Sequence, residues 1–143
     1  MLAYTSPTTD QVKLTQSVDT FARQTPGIVQ AIVVSDDGLL LAMSENLGRD
    51  DCDRFAAVTS AMTSLAIGAA RTFDLGEMSK LVVDLDRAFL LLSAFGPAAW
   101  LGVIARRDAD LGDLARKVAA FVEATASAGA ANPLDGRPAS LVP

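Results

Sequence analysis

The sequence predicts an α+β domain: a five-stranded antiparallel sheet flanked by helices, in the order α-β-β-α-β-β-β-α. Three observations carry this. Five apolar, partly β-branched runs of strand length occur, and within the first pair and the last three the joins are short turns such as Asp37-Gly38, Asp86-Arg87 and Gly96-Pro97. Strands joined so closely pair antiparallel. Stripes of apolar residues at three- and four-residue steps open and close the chain, and a long uncharged helical segment lies between the second and third strands.

The first nine residues lack periodicity and are expected to be flexible. From Asp10 to Gln24, Leu14, Val18, Phe21 and Ala22 form one helical stripe, with Asp10 as a candidate cap, and Pro26-Gly27 ends it. Ile28–Ser35 and Leu39–Ser44 flank Asp36-Asp37-Gly38, a strong hairpin signal because glycine accepts a positive φ. Asp50 is the expected N-cap of the central helix, with Asp51 and Asp53 in its first turn, and the helix should reach about Phe73. Glu77–Leu85, Ala88–Phe95 and Ala98–Ala105 read as three strands in a meander. A last helix, about Ala109 to Ala126, carries Leu111, Leu114, Ala115, Val118, Phe121 and Val122 on one stripe. One folded domain over 10–126 is expected, followed by a disordered Ala/Gly/Pro-rich tail at 127–143.

The central helix is unusual. Between Arg54 and Arg71 there are sixteen residues and no charge. Phe55, Val58, Met62, Leu65, Ala66, Ala69 and Phe73 are expected to pack on the sheet. Ala57, Ala61, Ser64 and Gly68 recur at steps of four, three and four on roughly the opposite side. Small residues at such steps let two helix backbones approach closely, so this stripe is the candidate interface with a second copy, with Arg71 at its end. The competing reading is an Ala/Ser surface that simply tolerates water. In the following strand, Lys80, Val82 and Asp84 join the candidate interface if that strand is a sheet edge. The two charges could equally blunt such an edge, and the sequence leaves that choice open.

Composition excludes several function classes. Half the residues are apolar, 20% are charged, and the net charge is −5 without a basic cluster, which argues against nucleic acid and anionic membrane as partners. The absence of histidine removes Ser-His and Cys-His nucleophile systems and the commonest metal ligand. No G-x-x-x-x-G-K-[ST] or G-x-G-x-x-G occurs, so the chain is not itself a P-loop GTPase. No catalytic, cofactor-binding or metal-ligating residues are assigned. Asp50, Asp51 and Asp53 match helix-start chemistry better than a calcium loop. Cys52 cannot form an internal disulfide and is expected to be an inert thiol, and Trp100 reads as core. Ala88 to Ala105 carries no charge over eighteen residues, but Gly96-Pro97 at its centre favours two buried strands over a membrane span. The N-terminus lacks a signal-peptide pattern, so a cytoplasmic location is expected.

The stretch from Thr25 to Phe73 resembles the front half of Roadblock (dynein light-chain) proteins, most of all the actinobacterial conservon type encoded beside a sensor kinase and a Ras-like GTPase. The matching pieces are the Pro26-Gly27 break, the Asp37-Gly38 hairpin, the Arg49-Asp50-Asp51 helix start and Ser64-Leu65-Ala66 with Gly68. Leu81 to Gly112 resembles the family's three-strand meander and the start of its closing helix. Arg87 departs from it, standing where glycine is common, so a looser turn is expected there. The resemblance implies a Roadblock/longin/profilin-like fold and a homodimer in which central helices and third strands meet. It also implies a non-catalytic scaffold or regulator of a small Ras-like GTPase in a bacterial signalling complex, with a sensor kinase complex at the membrane as a further partner. The alternative from another class is a small-molecule sensor of PAS-like plan. A ligand pocket needs convergent polar groups, and the inner strands offer almost none.

Overall fold

The computed structural model describes residues 9–127. Helix α1 (Thr9–Gln24) is followed by β1 (Ile28–Ser35), β2 (Leu40–Met43), α2 (Arg49–Thr72), β3 (Lys80–Asp84), β4 (Ala88–Ala94), β5 (Ala99–Arg106) and α3 (Leu111–Ser127). The expected flexible N-terminus (1–9) and disordered tail (127–143) lie outside the described residues, apart from Thr9 in α1 and Ser127 in α3. One sheet forms in the order β2-β1-β5-β4-β3, every pair antiparallel. The element order and sheet type are those expected from sequence.

Each turn has a local cause. Gly27 has φ +93°, and a Cβ there would lie 2.7 Å from the Ala109 Cβ, so glycine alone lets α1 give way to β1 beside the start of α3. Four residues, Asp36 to Leu39, join β1 to β2. The Gly38 amide donates to the Ser35 carbonyl at 3.0 Å, Gly38 takes a φ of +85°, and the Ser35 amide donates to the Leu39 carbonyl at 2.9 Å. Between β3 and β4 the Leu85 amide donates to the Ala88 carbonyl at 3.0 Å, closing a two-residue turn. This corrects the looser turn expected at Arg87. Asp74 is the one non-glycine residue with positive φ among the described residues, so Arg87 makes its turn without the left-handed region.

Strands β1, β4 and β5 are buried on both faces, which is why they read as nearly continuous apolar runs. One face meets α1 and α3. There Leu14, Val18, Ala22, Leu114 and Val118 pack on Ala31, Val33, Leu91, Leu101 and Val103, and Phe21 stacks on Phe121 with ring centroids 4.3 Å apart. The other face meets α2 through Cys52, Phe55 and Ala56, against Ile32, Val34, Leu92 and Trp100. Trp100 is core, and its indole Nε1 donates to Asp36 Oδ1 at 3.2 Å.

Gly102 sets how closely α2 approaches. A Cβ there would stand 3.0 Å from Thr59 Oγ1 and 3.2 Å from both Ile32 Cγ1 and Phe55 Cζ. The helix therefore turns Thr59 and Thr63 inward, both fully or nearly buried, with Cys52, Phe55 and Ala56. This corrects the stripe expected on the sheet. Phe55 and, in part, Met62 and Ala66 are covered, while Val58, Leu65, Ala69 and Phe73 are exposed. The inner face lies about a quarter turn from the one that hydrophobicity alone selects.

A polar clamp ties β1 to the segment before α2. Gln30 is fully buried, and its Nε2 donates to the Ser44 carbonyl at 2.7 Å and to the Ala31 carbonyl at 3.2 Å. Its Oε1 accepts from the Leu47 amide at 2.8 Å, and Ser44 Oγ accepts from the Ala31 amide at 2.9 Å.

Gln30→Ala should lower the unfolding free energy by about 2–4 kcal/mol in urea titration, because the Ser44 carbonyl and Leu47 amide lose their buried partner. A loss under about 1 kcal/mol would mean that water replaces the side chain. Thr59 Oγ1 is buried without a hydrogen-bond partner, so Thr59→Val should leave stability unchanged or raise it by up to about 1 kcal/mol. A fall in the melting temperature would show that the hydroxyl is satisfied.

Candidate interaction surface

Helix α2 opens without a side-chain cap. Its N-cap is Gly48 in extended conformation (φ −68°, ψ 165°), whose carbonyl accepts the first helical bond from the Cys52 amide at 3.1 Å. Asp50, expected as the cap, instead lies in the first turn with Asp51, where both carboxylates favour the positive end of the helix dipole. Extended backbone at Gly48 starts the helix two residues earlier than the aspartate would. Asp53 accepts from Arg49 Nε at 3.2 Å, and Asp51 pairs with Arg54 at 3.5 Å. Cys52 beside them is buried. Burial, followed by the Asp53 and Asp51 charges, pushes its thiol pKa up, which keeps it protonated and unreactive.

The far end of α2 closes in a Schellman arrangement. The Asp74 amide donates to the Arg71 carbonyl at 3.4 Å, and the Leu75 amide to the Ala70 carbonyl at 2.8 Å. Asp74 takes the left-handed position, φ 53°, usually held by glycine. This turn leaves Phe73 and Leu75 each 70% exposed.

Between these ends the outer face of α2 is bare. Ala57, Ala61, Ser64 and Gly68 are exposed along one stripe, and beyond the helix's own neighbouring backbone no atom lies within 4 Å of where a Gly68 Cβ would be. Val58 (45% exposed) and Leu65 (76%) flank the stripe. Arg71 lies at its end and borders a shallow recess with Asp36, Ser64, Gly68 and Trp100. The five helix positions nominated from sequence therefore share one surface. The apolar anchors Val58, Leu65, Phe73 and Leu75 were not nominated. The exposure of Val58 and Leu65 goes with the inward Thr59 and Thr63, and two threonines four residues apart in an uncharged helix were the available signal.

The edge-strand residues lie elsewhere. β3 ends the sheet, with β4 on one side and no strand on the other. Val82 stands opposite Leu91, and Asp84 opposite Phe89, both in the α1/α3 core, so Lys80, Val82 and Asp84 point away from α2. Leu81 and Val83, which were not nominated, point to the α2 side and are half-buried. Asp84 pairs with Arg107, whose guanidinium also lies 4.5 Å from the centroid of the Phe89 ring.

The cleft beside Gly27 and Ser44 has its Asp19 carboxylate internally satisfied. Asp19, in the cleft beside Gly27 and Ser44, accepts from Arg23 Nε at 2.9 Å and from the Glu45 amide at 3.1 Å. Among the described residues, no group of three or more His, Cys, Asp or Glu side chains could hold a metal ion. None of the described helices is long and apolar enough to cross a membrane, and Ala88 to Ala105 forms β4, a turn and β5.

The Roadblock/LC7 domain profile matches residues 14–105, from α1 to the end of β5. No curated protein matches in sequence. A crystal structure of a Roadblock/LC7 domain from Streptomyces avermitilis is 30% identical, covers 80% of this chain and 95% of that one, and superposes with a TM-score of 0.74. A second Roadblock/LC7 domain structure from Streptomyces avermitilis is 28% identical over 78% of this chain and 97% of its own, with a TM-score of 0.66. MglB of Myxococcus xanthus shares the fold at 15% identity, covering 82% of this chain and 94% of its own, with a TM-score of 0.74. The profile spans well over half the sequence and agrees with the sheet order, the helix placement and the Streptomyces likeness, and the chain belongs to the Roadblock/LC7 family.

Proposed function

We propose that this chain is a homodimeric, non-catalytic scaffold or regulator of a small Ras-like GTPase in a bacterial signalling complex. Its working unit is the folded domain over 10–126, acting in the cytoplasm, with a sensor kinase complex at the membrane as a further partner. The observation that carries this is the outer face of α2, a small-residue stripe flanked by exposed Val58 and Leu65 and continued by Phe73 and Leu75. Large apolar side chains contiguous on one helix mark a protein contact more than a solvated face. Close helix approach at Ala57, Ala61, Ser64 and Gly68 suits a second α2. Membership in the Roadblock/LC7 family supports a role in GTPase signalling, and the lack of histidine and of nucleotide-binding motifs supports action through binding instead of catalysis. A small-molecule sensor is disfavoured because the buried polar side chains Gln30 and Ser44 bond to the backbone and not into a cavity.

Gly68→Glu or Ala61→Glu should give monomers in light scattering, since either buries a charge at close helix contact. An unchanged mass rejects this face as the contact. The chain should bind a Ras-like GTPase encoded beside it, read by co-purification in both nucleotide states. Failure in both states removes the functional proposal and leaves the fold intact.

A further inference from the structure

The groove between α1 and α3 lies on the side of the sheet away from α2. Its floor is the stacked pair Phe21 and Phe121, each half-buried, with Ala120 exposed beside them. Two lysines line it, Lys13 on α1 and Lys117 on α3. No described residue lining it is acidic, on a chain of net charge −5. The two helices run antiparallel, since Phe21 meets Phe121 while Gly27, just after α1, lies against Ala109, just before α3. Lys13 is eight residues before Phe21, and Lys117 is four before Phe121. The lysines therefore stand at opposite ends of the groove, about 18 Å apart along it, with the rings between them. The α1 wall adds Gln16, Ser17, Thr20 and Gln24, whose amides and hydroxyls can donate to and accept from a peptide backbone.

We propose that this groove binds an extended acidic segment of a partner protein, with a large apolar side chain on the two rings and a carboxylate at each lysine. An extended chain rises about 3.3 Å per residue, so about five residues bridge the lysines. Acidic residues two positions either side of an apolar one put all three side chains on the same face of such a segment. Lys117 Nζ contacts Asp113 Oδ2 at 2.9 Å, and Asp113 also holds Arg116 at 3.0 Å. Asp113 thus keeps a cation when Lys117 turns to a bound carboxylate. Charge and shape favour this occupant over two others. An anionic membrane recruits clusters of about 4–8 basic residues, whereas here two lysines flank an apolar floor. The chain's own residues 128–143 carry a single carboxylate, Asp135, with Arg137 two positions on, and so lack the second acid. The site goes beyond the homodimer proposed above, because contact through α2 leaves the groove of each copy open on the other side of the sheet.

Fluorescence anisotropy with the full chain tests this, using a fluorescein-labelled peptide in which a tryptophan has a glutamate two positions away on each side. The control peptide carries lysine in place of both glutamates. The glutamate peptide should bind and the lysine peptide should not. Lys13→Glu should weaken binding on the order of fivefold, and Lys13→Arg should retain it. Ala120→Trp should abolish binding by filling the groove from an exposed position. Unchanged melting temperatures would show that these surface changes leave the fold intact. Equal affinity for the two peptides, no binding of either, or indifference to Lys13→Glu and Ala120→Trp would overturn the proposal. Binding of phosphatidylserine vesicles in place of the peptide would assign the groove to a membrane. Markedly tighter peptide binding by a full chain carrying Asp135→Lys would assign it to the chain's own tail. Either result overturns the partner segment as occupant. Gly68→Glu, which tests the homodimer, should leave peptide binding unchanged, so the two proposals fail separately. Loss of binding in that variant would move the site to the α2 face and overturn the groove.

Discussion

The close seat of α2 over Gly102 governs the outward face of the molecule. With no side chain on β5 at that point, Thr59 and the Phe55 ring both stand against the strand on the inner side of the helix. Val58 and Leu65 of the same helix are turned outward. An α2 held further off by a bulky residue at position 102 could bury Val58 and Leu65 by rolling, and the protomer would be self-contained.

The fold was largely legible because its signals are local. Turn dipeptides, strand-length apolar runs and two amphipathic helices define the element order, and short connections force antiparallel neighbours. The helix start was misread because an aspartate resembles a cap, whereas Gly48 supplies the required extended backbone without any side-chain bond. Arg87 was expected to loosen its turn, yet a two-residue turn with ordinary φ values accommodates it.

The candidate surface was legible in part. Spacing alone picked out Ala57, Ala61, Ser64 and Gly68 as one exposed stripe, because helical periodicity does not depend on what the helix packs against. The choice of inner face does depend on it, and hydropathy put Val58 and Leu65 there in place of Thr59 and Thr63. That contact lies more than forty residues ahead in the chain, at Gly102, where no local pattern could announce it. The Gln30 clamp was hidden for a similar reason. A lone glutamine in a β-branched run reads as a surface position until the Ser44 and Leu47 backbone groups are seen to need it.

Asp74 in its left-handed position has a consequence for how the chain comes into being. The turn it makes holds Phe73 and Leu75 away from the chain's own core, on a helix that also leaves Leu65 uncovered. A freshly synthesised copy thus presents a greasy patch to the crowded cell until something occludes it, the sort of surface that chaperones and proteases survey. Abundance in vivo would then track how fast this patch is covered as much as how well the chain folds.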